Sequence, residues 1–409
     1  MANVTDYLTW RGDVSLEERP FNDADNLVLS CLSYFDFTGI VPTEQEGGSI
    51  SVMKACRKLI KKGNGNVKQF VRALAHLDTK FVENLASSAR FGTAELSAYV
   101  DVVDEDRSLQ FSAIQIDLPT RVTFVSFRGT DSTLVGWRED FMLSFQVTEA
   151  QRQAVGYLER AIKRAIERGN PVMVGGHSKG GNLAEYAAVN CSEELRRHIV
   201  CVYSNDGPGM APELTSCDPE KVLGDRLRLI VPAYSIVGML FSKVNQRRTI
   251  VRSKVVGIGQ HDPSTWQLTP QGFFAVPKLE RDCMIINDAI AKWARSVPLD
   301  DRERFVNEVF DCLGAGGAKS LDQIGDSVEG LQKVISAFKA TDKSTRELAS
   351  ALLETTVNNS VDAVRHAARK VVRQWRDDLL GSAGGAAKKL LGVNEARMNA
   401  ALDTDNERV

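Results

Sequence analysis

The chain has 409 residues, of which 43% are hydrophobic and 25% charged, so it is long enough to bury at least one large core. Its 51 basic and 53 acidic residues leave a net charge of −2, without the basic surplus that non-specific nucleic-acid binding requires. The seven cysteines form no CxxC pair, which argues against a zinc site or a disulfide framework. We expect reduced, mostly buried thiols, no metal and no cofactor.

The hydropathy pattern predicts no transmembrane segment. The first residues lack the basic stretch and the apolar stretch that make up a secretory signal. The longest nearly apolar run, from Leu229 to Phe241, is interrupted by Pro232 and is too short to cross a bilayer. The sequence therefore predicts a cytoplasmic protein.

Residues 1–100 predict an N-terminal helical region packed on the core. Apolar residues recur at helical spacing, as at Val52, Ala55 and Leu59. Turn-forming residues at 47–48 and 63–65 separate the helical stretches.

Residues 101–313 predict an α/β core. An amphipathic helix is expected at 149–168, where Thr148 and Gln151 form a capping box. A second helix is expected at 182–189. Strands are expected at 111–116, 121–127, 171–175, 198–203, 227–231 and 250–256. Because strands alternate with helices, the central sheet should be mostly parallel and flanked by helices.

Residues 318–409 predict a helical C-terminal extension. Helices at 279–296 and 301–313 precede a glycine-rich hinge at 314–318. Ser344 and Glu347 form a capping box in the extension. A heptad-like apolar seam follows at Val357, Val361, Val364, Ala368, Val371, Trp375 and Leu379. This seam predicts either self-association or packing back on the core.

The strongest chemical signal is Gly176-His177-Ser178-Lys179-Gly180, which fits G-x-S-x-G. A predicted strand leads directly into the motif and a helix-forming run follows it, as a nucleophile elbow requires. The small flanking residues let the backbones approach, and the sharp turn lifts the serine hydroxyl above the sheet edge. We therefore expect Ser178 to be a nucleophile, although a glycine-rich turn used only for packing is the alternative.

A serine hydroxyl needs a general base at neutral pH. His177 lies inside the elbow, and its ring should point away from the Ser178 hydroxyl. His261 follows the last predicted strand through a flexible Gly257–Gln260 stretch, which is where the base lies in such folds. The chain has five histidines: His76, His177, His198, His261 and His366. His261 is the expected base, with a locally hydrogen-bonded loop histidine as the alternative.

The third residue of the triad should be a carboxylate that orients the histidine, and its position departs from the usual pattern. The loop after the strand 227–231 is the usual place, but it ends at Ser235 and contains no acid. One strand earlier, Asp206 stands at the expected carboxyl edge of the sheet, where ligands gather in open α/β folds. Asp206 is therefore the favoured acid. Asp262, or a dyad in which Ser235 orients the histidine, are the alternatives.

An oxyanion hole needs N–H donors aimed at the developing charge. The backbone N–H of Lys179 should supply one. The loop after the strand 121–127 should supply the other through Thr130, whose alternative role is an ordinary turn residue.

With these features, the chain resembles the lipase class 3, or fungal-type lipase, branch of the α/β-hydrolase superfamily. The resemblance covers roughly residues 20–310. Two stretches carry it: Val125–Thr130 followed by Trp137 and Asp140, and Gly175–Ala184. It implies an α/β-hydrolase fold, Ser178 as nucleophile and Thr130 as an oxyanion-hole residue. The 260–263 sequence Gln-His-Asp-Pro and Trp266 are similar to a poorly characterised bacterial group within that branch.

Two departures from the family pattern bear on function. Lys179 stands where these lipases have an apolar residue, which suggests a cation near the site and an anionic substrate. The acid expected after the later strand is replaced by Ser235, which puts the completeness of the triad in question.

Two functions follow from the sequence. The first is a serine hydrolase that cleaves a small-molecule or lipid ester through an acyl-enzyme, with Ser178 as nucleophile, His261 as base and Asp206 as acid. The second is a catalytically weak or inactive scaffold whose helical extension mediates self-association or partner binding.

Overall fold

A mixed eight-stranded sheet, with strands in the order β1 to β8, positions the site. The computed structural model describes residues 2–72, 75–104, 109–130, 134, 138–139, 142–143, 146–210, 214, 218–242, 246–280, 283–284, 298–318, 328–339 and 341. The sheet strands are β1 (Ile50–Ser51), β2 (Glu95–Asp104), β3 (Leu109–Leu118), β4 (Val122–Phe127), β5 (Val172–His177), β6 (Ile199–Asn205), β7 (Leu227–Pro232) and β8 (Arg248–Val251). A separate hairpin pairs β9 (Leu268–Thr269) with β10 (Gly272–Phe273).

The sheet changes character at β4. Strands β1 to β4 pair antiparallel, and β4 to β8 pair parallel. Helices connect the strands of the parallel half, because a parallel connection must cross back over the sheet. The predicted α/β-hydrolase-type fold, with a mostly parallel central sheet flanked by helices, is confirmed.

The structure describes ten α-helices. They are α1 (Val4–Arg11), α2 (Asp23–Leu32), α3 (Val52–Lys62), α4 (Thr79–Ser87), α5 (Glu149–Glu167), α6 (Lys179–Asn190), α7 (Glu193–Arg196), α8 (Pro219–Leu223), α9 (Leu299–Gly314) and α10 (Val328–Lys339). The predicted capping box of α5 is present, with Thr148 accepting from the Gln151 N–H and Gln151 accepting from the Thr148 N–H.

A hydrophobic cluster covers each face of the sheet, and successive side chains of a strand enter different clusters because they point to opposite sides. Phe124 of β4 joins the hydrophobic cluster that includes residues of α1 to α4. Its neighbour Val125 joins the second cluster, which is built with α5 and α6. The Ser126 hydroxyl donates to the carbonyl of Leu29 in α2 at 3.0 Å, so the N-terminal helices pack directly on the strands that carry the site.

The last sheet strand is shorter than predicted. We expected a strand at 250–256, but β8 ends at Val251. From Arg252 onward the backbone bonds to a different partner, with the Arg252 N–H donating to the Phe274 carbonyl and the Lys254 N–H to the Thr265 carbonyl, both at 2.9 Å. Hydrophobicity alone did not reveal this change of partner.

The chain divides into two units, one ending at Leu279 and the other beginning at Glu280. In the second unit, α9 and α10 contact each other, and α9 covers the predicted helix at 301–313. The capping box at Ser344 and the apolar seam from Val357 to Leu379 lie outside the described residues, as does most of the predicted helix at 279–296. Among the helices that the structure describes, none has the length and apolar character needed to traverse a bilayer.

Candidate active site

Ser178 occupies a sharp turn between β5 and α6. Its backbone has φ 57° and ψ −130°, a conformation that a non-glycine residue adopts only under strain. The turn is crowded, since a Cβ on Gly176 or Gly180 would collide with the carbonyl oxygen of Phe127. The glycines of the motif are therefore required for the close approach of β4 to the elbow.

The His261 imidazole lies against the Ser178 hydroxyl. His261 ends a short 3-10 helix, Gly257–His261, and its Nε2 lies 2.9 Å from Ser178 Oγ. The serine is 3% exposed and the histidine 5% exposed, so their hydrogen bond is shielded from bulk water. This arrangement suits proton transfer from the hydroxyl to the ring.

Asp206 completes a hydrogen-bonded line with these two residues. It directly follows β6, has a positive φ of 49°, and is fully buried. Its Oδ2 lies 2.6 Å from His261 Nδ1. Because a carboxylate oxygen only accepts, Nδ1 carries the proton and Nε2 is left to accept from the serine hydroxyl.

The two alternatives to Asp206 lie differently. Asp262 points away from the His261 ring, with Oδ2 2.6 Å from His76 Nδ1 and Oδ1 accepting from the Ser264 N–H at 2.8 Å. Ser235 donates instead to Oδ1 of Asp206 at 2.5 Å. Ser235, which lies after β7 where an acid was expected, thus holds the Asp206 carboxylate instead.

The loop after β4 packs on the elbow. A Cβ on Gly129 would come within 2.5 Å of the His177 carbonyl oxygen, so this loop and the nucleophile turn are in contact. Thr130, the next residue, is 2% exposed. Lys179 is the first residue of α6, where helix N–H groups lack partners within the helix. Trp137 and Asp140 lie outside the described residues.

The Lys179 side chain does not offer a free cation to a substrate. Its ammonium is 2.7 Å from Glu139 Oε2 and donates to the Gln110 carbonyl at 2.9 Å, and the side chain is 1% exposed. The Lys179 charge, on which the expectation of an anionic substrate rests, is thus already paired inside the protein, and the charge of the substrate stays a prediction. A partner 40 residues upstream gave no local signal.

Several supporting residues of the site were not predicted. The side-chain amides of Asn26 and Asn205 bond reciprocally at 2.8 and 3.0 Å, and Asn205 also donates to the Gly176 carbonyl at 2.9 Å. Tyr34 reaches the ring of His177. Asn26 and Tyr34 are far from the motif in sequence, and no spacing rule connects them to it. Within the described part of the chain, no group of three or more His, Cys, Asp or Glu residues could hold a metal ion.

Comparison with known proteins identifies the family. The family model described as Mbeg1-like matches residues 85–311, more than half of the chain. The chain belongs to the Mbeg1-like family. This family is lipase-like, in agreement with the resemblance seen in the sequence, and the matched residues include Ser178, Asp206 and His261. The narrower bacterial group stays a prediction. No curated protein matches the chain.

Solved structures with a likeness to this Mbeg1-like chain include two lipases. M37 lipase is 18% identical over 54% of this chain and 69% of its own, with a TM-score of 0.33. A fungal lipase solved as an inhibitor complex is 14% identical over 61% of this chain and 80% of its own, with a TM-score of 0.35.

Proposed function

We propose that the chain is a serine hydrolase that cleaves a carboxylic ester, of a small molecule or a lipid, through an acyl-enzyme. The single observation that carries the proposal is the hydrogen-bonded line from Ser178 through His261 to Asp206, with distances of 2.9 and 2.6 Å. The Mbeg1-like match, in a lipase-like family, supports the same reaction class.

In the proposed first half-reaction, Ser178 Oγ attacks the ester carbonyl carbon as its proton passes to His261 Nε2. Asp206 holds the Nδ1 proton and stabilises the imidazolium that forms. The carbonyl oxygen becomes an oxyanion, which the Lys179 backbone N–H and the Thr130 loop stabilise. The imidazolium then gives its proton to the leaving alcohol, and the acyl group remains on Ser178.

In the second half-reaction, water attacks the acyl-enzyme. His261 takes a proton from the water, and the tetrahedral intermediate collapses to release the acid. Ser178 leaves as the alkoxide and is reprotonated by His261, which restores the starting state.

A fluorophosphonate probe tests the proposal, because it forms a covalent adduct only with an activated serine. We expect wild type to be labelled at Ser178, as located by mass spectrometry of peptides, and Ser178→Ala and His261→Ala to stay unlabelled. Ser126→Ala is the matched control, since that buried hydroxyl bonds to Leu29 and does not reach His261. Unlabelled wild type would overturn the proposal and favour the scaffold hypothesis. A panel of esters of increasing acyl length then defines the substrate.

A further inference from the structure

The imidazole of His177 lies between two groups that determine the state of both ring nitrogens. Its Nε2 is 2.8 Å from the backbone carbonyl oxygen of His261, and its Nδ1 is 2.7 Å from the Tyr34 hydroxyl. A carbonyl oxygen can only accept, so Nε2 carries the proton and donates. Nδ1 then carries no proton, and its lone pair accepts from the Tyr34 O–H. The His261 carbonyl therefore selects this tautomer, and the Tyr34 hydroxyl supports it by donating to Nδ1.

The surroundings keep His177 neutral. The residue is 1% exposed, and its ring centroid is 4.8 Å from that of His261. Burial, and then the nearby His261, hold the pKa of His177 well below its usual range. Tyr34 and His261 are the titratable residues whose atoms bond to the ring. When His261 takes a proton, His177 therefore does not compete for it and keeps the same hydrogen bonds.

The His177 ring bonds to the main chain of His261, not to its side chain. A backbone carbonyl held at one position limits how far the attached imidazole can move from Ser178 and Asp206. The neighbouring Gln260 carbonyl accepts from Trp266 Nε1 at 2.8 Å, and the Trp266 ring packs edge-on against His177. The Tyr34 hydroxyl also lies 2.3 Å from the position that a Cβ on Gly129 would take, so it touches the loop that carries Thr130.

We propose that His177 and Tyr34 are positioning residues of this site: the Tyr34 hydroxyl donates to Nδ1 and so holds the His177 ring as the Nε2–H tautomer that the His261 carbonyl requires, and the Nε2–H bond fixes the main chain of His261. The inference rests on the proposed serine hydrolase function, and it assigns a role to the motif residue that precedes the nucleophile.

Kinetics of three variants test the positioning role. Tyr34→Phe should lower kcat about tenfold, and His177→Leu about a hundredfold, with KM changed less than about twofold, because a displaced base affects the transition state more than binding. His177→Gln should restore most of kcat, since its amide N–H can reach the carbonyl from the position of imidazole Nε2. Tyr157→Phe is the control, because it removes a buried hydroxyl that donates to the Ala98 carbonyl, away from the site. Equal kcat for Tyr34→Phe and Tyr157→Phe, or no recovery in His177→Gln, would overturn the inference.

A second measurement does not depend on activity. In the full chain labelled with ¹⁵N-histidine, His177 should give the signals of an Nε2–H ring that does not titrate between about pH 5 and 9. The five histidines of the chain can be assigned one by one with His→Gln variants. An Nδ1–H ring, or titration near the ordinary histidine pKa, would contradict the inference even if wild type is labelled by the fluorophosphonate. Unlabelled wild type with the expected tautomer would instead overturn the proposed function, and the positioning role with it.

Discussion

The hydroxyl of Ser235 donates a 2.5 Å hydrogen bond to Oδ1 of Asp206. Ser235 lies after β7, where the acid of such a site is usual, whereas Asp206 lies after β6. The Gly238 N–H donates to the same oxygen at 3.1 Å. The β7 end therefore provides two donors that hold the carboxylate while its other oxygen faces His261.

Ser235→Ala tests this support. Removing a hydrogen bond to a charged group costs about 1.5–3 kcal/mol, so kcat/KM for an ester should fall about tenfold or more. Ser242→Ala is the matched control, because its hydroxyl donates to the Gly238 carbonyl instead of the carboxylate. Equal kcat/KM in the two variants would mean that Asp206 does not depend on Ser235.

Asp206→Asn tests the acid itself. The amide can donate to His261 Nδ1 and so favour the wrong tautomer, which should lower kcat about 10³–10⁴-fold. Asp262→Asn is the comparison, because that carboxylate bonds to His76 and Ser264 and should matter far less. Steady-state rates on one ester measure both. If Asp262→Asn proved the more damaging change, the assignment of the acid would be wrong.

Lys179→Met tests the buried ion pair with Glu139. The change leaves the Glu139 carboxylate without its partner, and the free energy of unfolding should fall by about 3 kcal/mol in urea denaturation. The double variant Lys179→Met/Glu139→Leu should recover most of this loss, because an apolar pair needs no charge compensation. Arg197→Met, which breaks an exposed pair with Glu193, should cause no measurable loss.

The same variants test substrate charge. Because the Lys179 ammonium is bound by Glu139 and Gln110, the double variant should keep the wild-type ratio of rates on a neutral and an anionic ester. A selective loss of the anionic ester would return Lys179 to a role in substrate recognition.

Glu185, buried in α6, should make stability depend on pH. Burial, with the charges of Glu220 and Asp218, raises its pKa from 4.5 to about 7. Between these values the folded state keeps a proton that the unfolded state has lost. Stability should therefore fall as pH rises from about 4.5 to about 7, by about 2–3 kcal/mol, and change little above that range.

Urea denaturation of wild type and Glu185→Gln at several pH values checks this dependence. The amide does not titrate, so the variant should gain stability relative to wild type as pH rises through the window. A difference between the two proteins that stays constant with pH would show that Glu185 does not titrate there.

The sequence predicted what local pattern determines. The strand before Ser178 and the helix after it follow from hydrophobic periodicity and the glycines, and they are present as β5 and α6. Asp206 was favoured because the sequence placed it at the carboxyl edge of the sheet, and the structure has the ends of β5 and β6 side by side there. The structure brings Ser178, His261 and Asp206 within hydrogen-bonding distance, while their catalytic roles stay predictions.

Contacts between distant segments could not be predicted. Nothing near Lys179 pointed to Glu139, and nothing near Tyr34 pointed to His177. These pairs depend on how loops cross at the sheet edge, which neither propensity nor spacing encodes. The same limit explains the early end of β8, after which the backbone bonds to Phe274 and Thr265 instead of continuing the strand.

The side-chain amides of Asn26 and Asn205 bond reciprocally, and they join α2, which lies outside the family match, to the end of β6 beside the site. A polypeptide trimmed to residues 85–311 would keep the serine, the histidine and the aspartate. It would lose Asn26 and Tyr34, and would leave the Asn205 amide and the His177 ring facing solvent or a void. A fragment that keeps these contacts therefore has to include Asn26 and Tyr34, which precede the stretch by which the family is recognised.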